Sequence, residues 1–175
     1  MNKFLTFVAL LVLIAPNAFA SKARLLSLGQ DPNGSAYIDD TRSVFLNPAF
    51  INTVGDFANF EFGSTTTTAA PNSEGGFFHK WSNYHVGLQL GRQSDFNTII
   101  RDTTASSGAG FYDNPQNTIE VQIGGGDSMK WGVSLIYGMT EDRVAPTEKK
   151  ASTYELRGGL MRNAWSAYVA LDMLG

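Results

Sequence analysis

Residues 152–174 alternate so regularly that they specify one hairpin and both of its faces. Closing the chain on a two-residue turn at Arg162-Asn163 pairs Leu160 with Trp165, Gly158 with Ala167, Leu156 with Val169 and Tyr154 with Leu171. Every member of that set is apolar, aromatic or glycine. The other face pairs Met161 with Ala164, Gly159 with Ser166, Arg157 with Tyr168, Glu155 with Ala170 and Thr153 with Asp172, a mixed, small and charged set. A one-residue slip would scramble both faces, so the separation belongs to the register and not merely to composition. The pattern demands an antiparallel sheet with one apolar face. Alternation alone does not say whether that face meets a protein core or lipid.

The N-terminus bears on that choice. Lys3 precedes an apolar run from Phe4 to Ala15, and Ala18-Phe19-Ala20 stand before Ser21. This is the pattern of a secretory signal peptide over residues 1–20, cleaved after Ala20; a spanning helix needs roughly 20 apolar residues, more than the run supplies. Cleavage removes twenty residues whose only charge is Lys3, taking 175 residues and net charge -3 to 155 and -4. No later apolar stretch has helix length, so further membrane contact would have to be made by strands.

Period-two patterning predicts strands over Asp56–Ser64, Gly75–Phe78, Asn83–Arg92, Gln116–Gly124, Lys130–Glu141, Ser152–Met161 and Ala164–Leu174. The connections alternate in length. Short turns fall at His79–Ser82, Gly126–Ser128 and Arg162-Asn163; longer stretches run through Thr65–Glu74, Gln93–Pro115 and Asp142–Ala151. Outer-membrane barrels keep this parity, with short periplasmic turns and long external loops. Trp81 reads out of phase with Tyr84, Val86, Leu88 and Leu90, which makes it a turn residue.

The fold expected is therefore all-β, an antiparallel transmembrane barrel of outer-membrane type, with residues 21–55 as a separate N-terminal segment and 56–175 as barrel strands. In Gln116–Glu141, Ile119, Val121 and Ile123 face Trp131, Val133 and Leu135 across the turn, while Glu120, Gln122 and Ser134 point the other way. Ile136 breaks the inner pattern. Gln89, Glu120, Gln122, Glu155 and Arg157 are the expected lumen lining, and Trp131, Trp165, Tyr137 and Tyr154 the expected aromatics at the membrane boundary. Bacterial single-chain barrels use an even number of strands from eight upward, so seven suggest the front part of a larger barrel, or an eighth strand hidden in residues 21–51. Outer-membrane barrels also commonly finish on an aromatic residue, and this sequence finishes on Gly175.

Composition fits the same class. The absence of cysteine excludes a disulfide framework, a thiol nucleophile and a lipid-anchoring cysteine, and mild acidity without a basic cluster argues against nucleic acid. Eighteen glycines and 12% aromatic residues suit curved strands with ring-lined boundaries.

Before the first strand lie Gly29, the acidic pair Asp39-Asp40 and the tripeptide Asn47-Pro48-Ala49. Pro48 cannot sit in a central strand, and the residue before it is biased to extended geometry. The tripeptide should therefore turn the chain and deliver Phe50 and Ile51 to a packed position. Asp39 and Asp40 could cap that element or meet a lumen cation such as Arg157. An ordinary polar turn ahead of a strand would read similarly. Over these roughly thirty residues the chain resembles the long-chain fatty acid transporter (FadL-like) and PorV-like outer-membrane barrel families. The resemblance implies that residues 21–55 form a hatch inside the barrel, with Asp39, Asp40, Asn47, Pro48 and Ala49 as its motif, and that apolar molecules pass through the lumen or wall.

Other constellations are poorer. Asp31, Asn33, Ser35 and Asp39 follow calcium-loop spacing, but Ala36 and Arg42 stand where glycine and glutamate belong. His79 and His85 are the only histidines, and no Gly-x-Ser-x-Gly elbow accompanies them; the expectation is no enzyme, no metal and no cofactor. Gly124-Gly125-Gly126 opens no helix and reads as a turn device. Two functions follow: a passive outer-membrane channel or transporter for small hydrophobic molecules, or a structural barrel docking envelope proteins through the loop Gln93–Pro115, around Phe111-Tyr112. The expected partners are outer-membrane lipid, hydrophobic small molecules and envelope proteins, with no nucleic acid.

Overall fold

Period-two alternation becomes a seven-stranded antiparallel sheet in order β1 to β7, each strand pairing only with its sequence neighbours. The strands are β1 Phe57–Glu61, β2 Glu74–Trp81, β3 Tyr84–Leu90, β4 Asn117–Gly125, β5 Lys130–Asp142, β6 Lys149–Arg162 and β7 Trp165–Leu174. β1 and β7 do not pair, so the sheet is open. Our computed structural model describes residues 21–38, 40–62, 73–94, 117–142 and 149–174. The expected signal peptide, Asp39 and nearly all of the loop proposed for docking lie outside the described residues.

All seven expected strands are present, with three local corrections. The last hairpin closes on Asn163-Ala164, so Arg162 faces Trp165 and Leu156 faces Leu171 instead of Val169. Asn163 takes a φ of 49°, a left-handed conformation that asparagine tolerates better than most residues, and this places the turn one residue later than expected. The slip is a full pleat, so both faces survive it. β2 runs through Trp81 and closes on Ser82-Asn83, where Ser82 has a φ of 57°. His79 is therefore a strand residue, and Trp81 faces Tyr84 on one side of the sheet, in phase with it. The third short turn extends through Met129. All three tight turns lie at the same end of the strands.

The N-terminal segment folds as α1 Ser21–Ser27, α2 Ser43–Leu46, a 3-10 turn Pro48–Phe50 and α3 Ile51–Val54. No described residue of 21–51 forms an eighth strand. Asn47 is extended, and its side chain accepts a hydrogen bond from Ala49 N at 2.9 Å, so Pro48 opens the 3-10 turn where its missing N–H costs nothing. Asp40 makes a turn ahead of α2, its carbonyl accepting from Ser43 N at 3.0 Å and its Oδ1 from Arg42 N at 3.0 Å, while the N-cap position, Arg42, makes no side-chain cap. No helix among the described residues is long and apolar enough to cross a membrane.

The segment packs on one face of the sheet, where mainly polar side chains are buried, while the other face is apolar. Val44, Phe45, Ile51 and Phe78 form the small apolar cluster. Around them the covered face buries Gln89, Thr118, Glu120, Gln122, Ser134, Thr153, Glu155 and Arg157, all 5% exposed or less. The other face is bare: Val121 is 52% exposed, Leu135 50%, Val169 59% and Leu171 57%. Tyr84 and Trp131 meet there edge to face at 6.4 Å across Gly125, and Tyr137 and Tyr154, paired in register, meet at 5.1 Å towards the opposite edge.

Candidate functional site

Antiparallel register places the covered face in cross-strand rows. Nearest the tight turns, Gly124 of β4 faces Gly132 of β5, which faces Gly159 of β6. This glycine row is the seat of the Asn47-Pro48-Ala49 turn. A Cβ on Gly132 would overlap the Pro48 carbonyl, one on Gly159 the Asn47 side chain, and one on Gly124 the Ile51 side chain. Backbone approaches backbone here because no side chain intervenes. Asn52 adds tethers: its Nδ2 donates to Trp131 O at 2.8 Å and to Ala49 O at 2.9 Å, and its Oδ1 lies 3.1 Å from His85 Nδ1. Ile51 reaches the expected packed position, while Phe50 is only half-buried.

The next two rows carry the polar side chains. Gly87, Gln122, Ser134 and Arg157 stand side by side on β3 to β6, and beyond them Gln89, Glu120, Ile136 and Glu155. The five expected lumen residues therefore share one face. All five are buried, and two of them meet the N-terminal segment. Gln122 Nε2 reaches Val44 O at 3.5 Å, and Arg157 donates to Phe45 O and to Glu155.

Three buried guanidiniums meet three buried carboxylates. Arg42 pairs with Glu74, Arg157 with Glu155, and Arg92 with Glu120 at 2.5 Å. Glu120 also accepts from Gln122 Nε2 at 2.6 Å and Ser134 Oγ at 3.0 Å, while Arg92 donates to Asn33 Oδ1 at 3.1 Å. Buried charges persist only when paired in this way. Arg42 and Arg92 both lie over the Phe45 ring, at 4.9 and 4.6 Å from its centroid. Asp40 does not reach Arg157; its carboxylate is held by Arg24 at 2.8 Å.

Sequence reasoning missed Phe45, Arg42, Arg92 and Glu74, which sit at strand ends or in the helical segment, where no periodicity marks a face. It also missed the glycine row. The signal was present: once the hairpins are set, Gly124, Gly132 and Gly159 fall in register. Gly124-Gly125-Gly126, read together as a turn device, has three separate jobs. Gly124 seats Ile51, Gly125 lets Tyr84 and Trp131 meet, and Gly126 alone turns, with a φ of 101°.

No family model, curated protein or solved structure matches this chain. The resemblance thus rests on Gly29, Asp39, Asp40, Asn47, Pro48 and Ala49 in the sequence alone.

Proposed function

We propose that this chain forms wall and plug of an outer-membrane β-barrel, with β1 to β7 crossing the bilayer and residues 21–55 seated inside. One observation carries the reading: the strands bury Gln89, Glu120, Gln122, Glu155 and Arg157 on one face and leave Val121, Leu135, Val169 and Leu171 bare on the other. Soluble monomers rarely expose a contiguous apolar patch beyond a few hundred Å2, whereas a barrel wall requires one. At 13 and 14 residues, β5 and β6 exceed the roughly 9–11 that a tilted spanning strand needs. Trp131 and Trp165 then mark the boundary at the tight-turn edge, and Tyr137 and Tyr154 the boundary opposite.

Within that barrel the activity proposed is passive passage of small molecules, hydrophobic ones being the cargo the family resemblance implies. Because the plug covers the inner face, passage requires the plug to shift. The test is uptake by liposomes carrying the purified full chain, with an apolar fluorescent solute and a polar one compared against empty vesicles. Uptake no faster than in empty vesicles for both would remove the transport reading.

The completeness of the plug's seat favours a second reading, a structural barrel that docks envelope proteins without conducting. Deleting residues 103–110 separates the two. Loss of a pulled-down partner with unchanged solute flux selects docking.

A further inference from the structure

We infer that the seam between the N-terminal segment and the sheet is a binding site for water rather than a dry seal. Gln89 is 1% exposed, and neither atom of its amide has a hydrogen-bond partner. Its side chain lies across Gly76, where a Cβ would overlap Gln89 Oε1; on the far side of Gly76, in register, stands Asn59, whose Oδ1 is also buried and unpartnered. Glu120, beside Gln89 in the same row, takes Arg92, and Arg92 shares the Phe45 ring with Arg42. Each of these two guanidiniums keeps its Nη2 buried and unpartnered. Glu155 Oε2 and Gln122 Oε1, on the same face, are in the same condition.

Folded proteins rarely leave such atoms unpaired, and a concentration of them between two packed surfaces marks the place of ordered solvent. The composition of the set selects the ligand. An anion would serve only the donors, Arg42 Nη2, Arg92 Nη2 and Gln89 Nε2, and a cation only the acceptors, Asn59 Oδ1, Gln89 Oε1, Gln122 Oε1 and Glu155 Oε2. Water serves both. The consequence, which rests on the plug-and-wall reading, is that the plug can part from the wall by exchanging bound water for bulk water, without stripping charges bare. The glycine seat under Asn47-Pro48-Ala49, tight and tethered, would then be the part that holds.

The test is the sign of a stability change. In a dry seam, Gln89→Leu removes two unpaired buried polar atoms and raises the melting temperature; in a wet one it strips bound water of its partners and lowers it. We expect a fall of several degrees for the full chain in detergent micelles, and an unchanged or raised value overturns the inference. If Gln89→Leu does not fold, hydroxyl-radical footprinting of the wild type decides. Radicals formed from internal water should oxidise Phe45 and Phe78, which are 1% and 2% exposed, and unmodified rings at both positions would overturn the site. Neither readout needs a membrane. A dry seam therefore leaves the barrel reading standing, and recovery of the protein without detergent, which would sink the barrel, leaves this test intact.

Discussion

The amide of Asn47 occupies the space that a Cβ at position 159 would need, so Gly159 and Asn47 are complementary parts of one joint. Asn47 Oδ1 accepts from Ala49 N, which shapes the 3-10 turn, while Nδ2 reaches Leu160 O at 3.5 Å and Ala167 O at 3.4 Å on β6 and β7. One side chain thus both makes the turn and fastens it to the sheet.

Gly132→Ala should therefore cost about 1–3 kcal/mol, the usual range for overpacking, because the atom it meets is the Pro48 carbonyl and backbone cannot swing away. Gly158→Ala is the control. It lies on the bare face, its nearest neighbour would be Val169 Cγ1 at 4.0 Å, and it should cost little or nothing. Urea unfolding of both variants, with limited proteolysis of residues 21–55 as a second readout, checks the contrast. Equal effects at the two positions would remove the seat from the argument.

Arg92 and Glu120 supply a second prediction. Arg92→Leu leaves Glu120 buried with Gln122 and Ser134 as its partners among the described residues, and breaking a buried pair from one side costs about 3–5 kcal/mol. The double variant Arg92→Leu with Glu120→Leu removes both charges and should recover most of that loss. A double-mutant cycle by chemical unfolding reads the coupling directly. Additive losses would mean that the pair is not a unit.

How much of this could be read from the sequence follows from what repeats. Alternation in Ser152–Leu174 and Gln116–Glu141 is a local, many-residue signal, so strand number, strand order and both faces were legible. The hairpin register was not, because a two-residue slip preserves every face and only the left-handed backbone of Asn163 decides it. Trp81 was misplaced for a related reason: its phase is set across the turn by Tyr84 and not along its own strand. Gln89, Glu120, Gln122, Glu155 and Arg157 were grouped correctly by parity. That they are covered depends on where residues 21–55 dock, which is a long-range fact carried by three glycines on three strands.

Asp56, at the tight-turn edge just before β1, gives a pH prediction. The backbone N–H of Lys80 donates to Asp56 Oδ1 at 2.7 Å, and His79 Nδ1 lies 3.1 Å from Oδ2. The Lys80 hydrogen bond above all, with lesser help from His79, holds the Asp56 carboxyl below the ordinary aspartate value. A depressed folded value means that the stabilisation is present above the unfolded pKa and is lost as pH falls through the folded one. Asp56 is exposed to solvent, so the effect should be confined to this corner. Carboxyl NMR titration of the folded protein should give Asp56 a lower midpoint than other exposed aspartates, and Asp56→Asn should abolish any acid-induced loosening of the β1–β2 edge in hydrogen exchange.

Val169 and Ser166 decide what the bare face meets. Val169 projects from β7 on the side of Leu156 and Val133, and Ser166 from the side that carries Arg157 and Glu155. If the bare face lies in a bilayer, Val169→Arg near the midplane costs about 2–4 kcal/mol, while Ser166→Arg, on the opposite face at the tight-turn edge, costs much less. Reversible unfolding from lipid vesicles measures both. Single cysteines at Val133 and Val169 complete the test, since this chain has no cysteine of its own to interfere. In the membrane-inserted protein they should react with lipid-soluble thiol reagents and resist water-soluble ones. Rapid labelling of both by a water-soluble reagent, or recovery of the wild-type chain from the periplasm without detergent, would show that the apolar face is covered by protein instead of lipid.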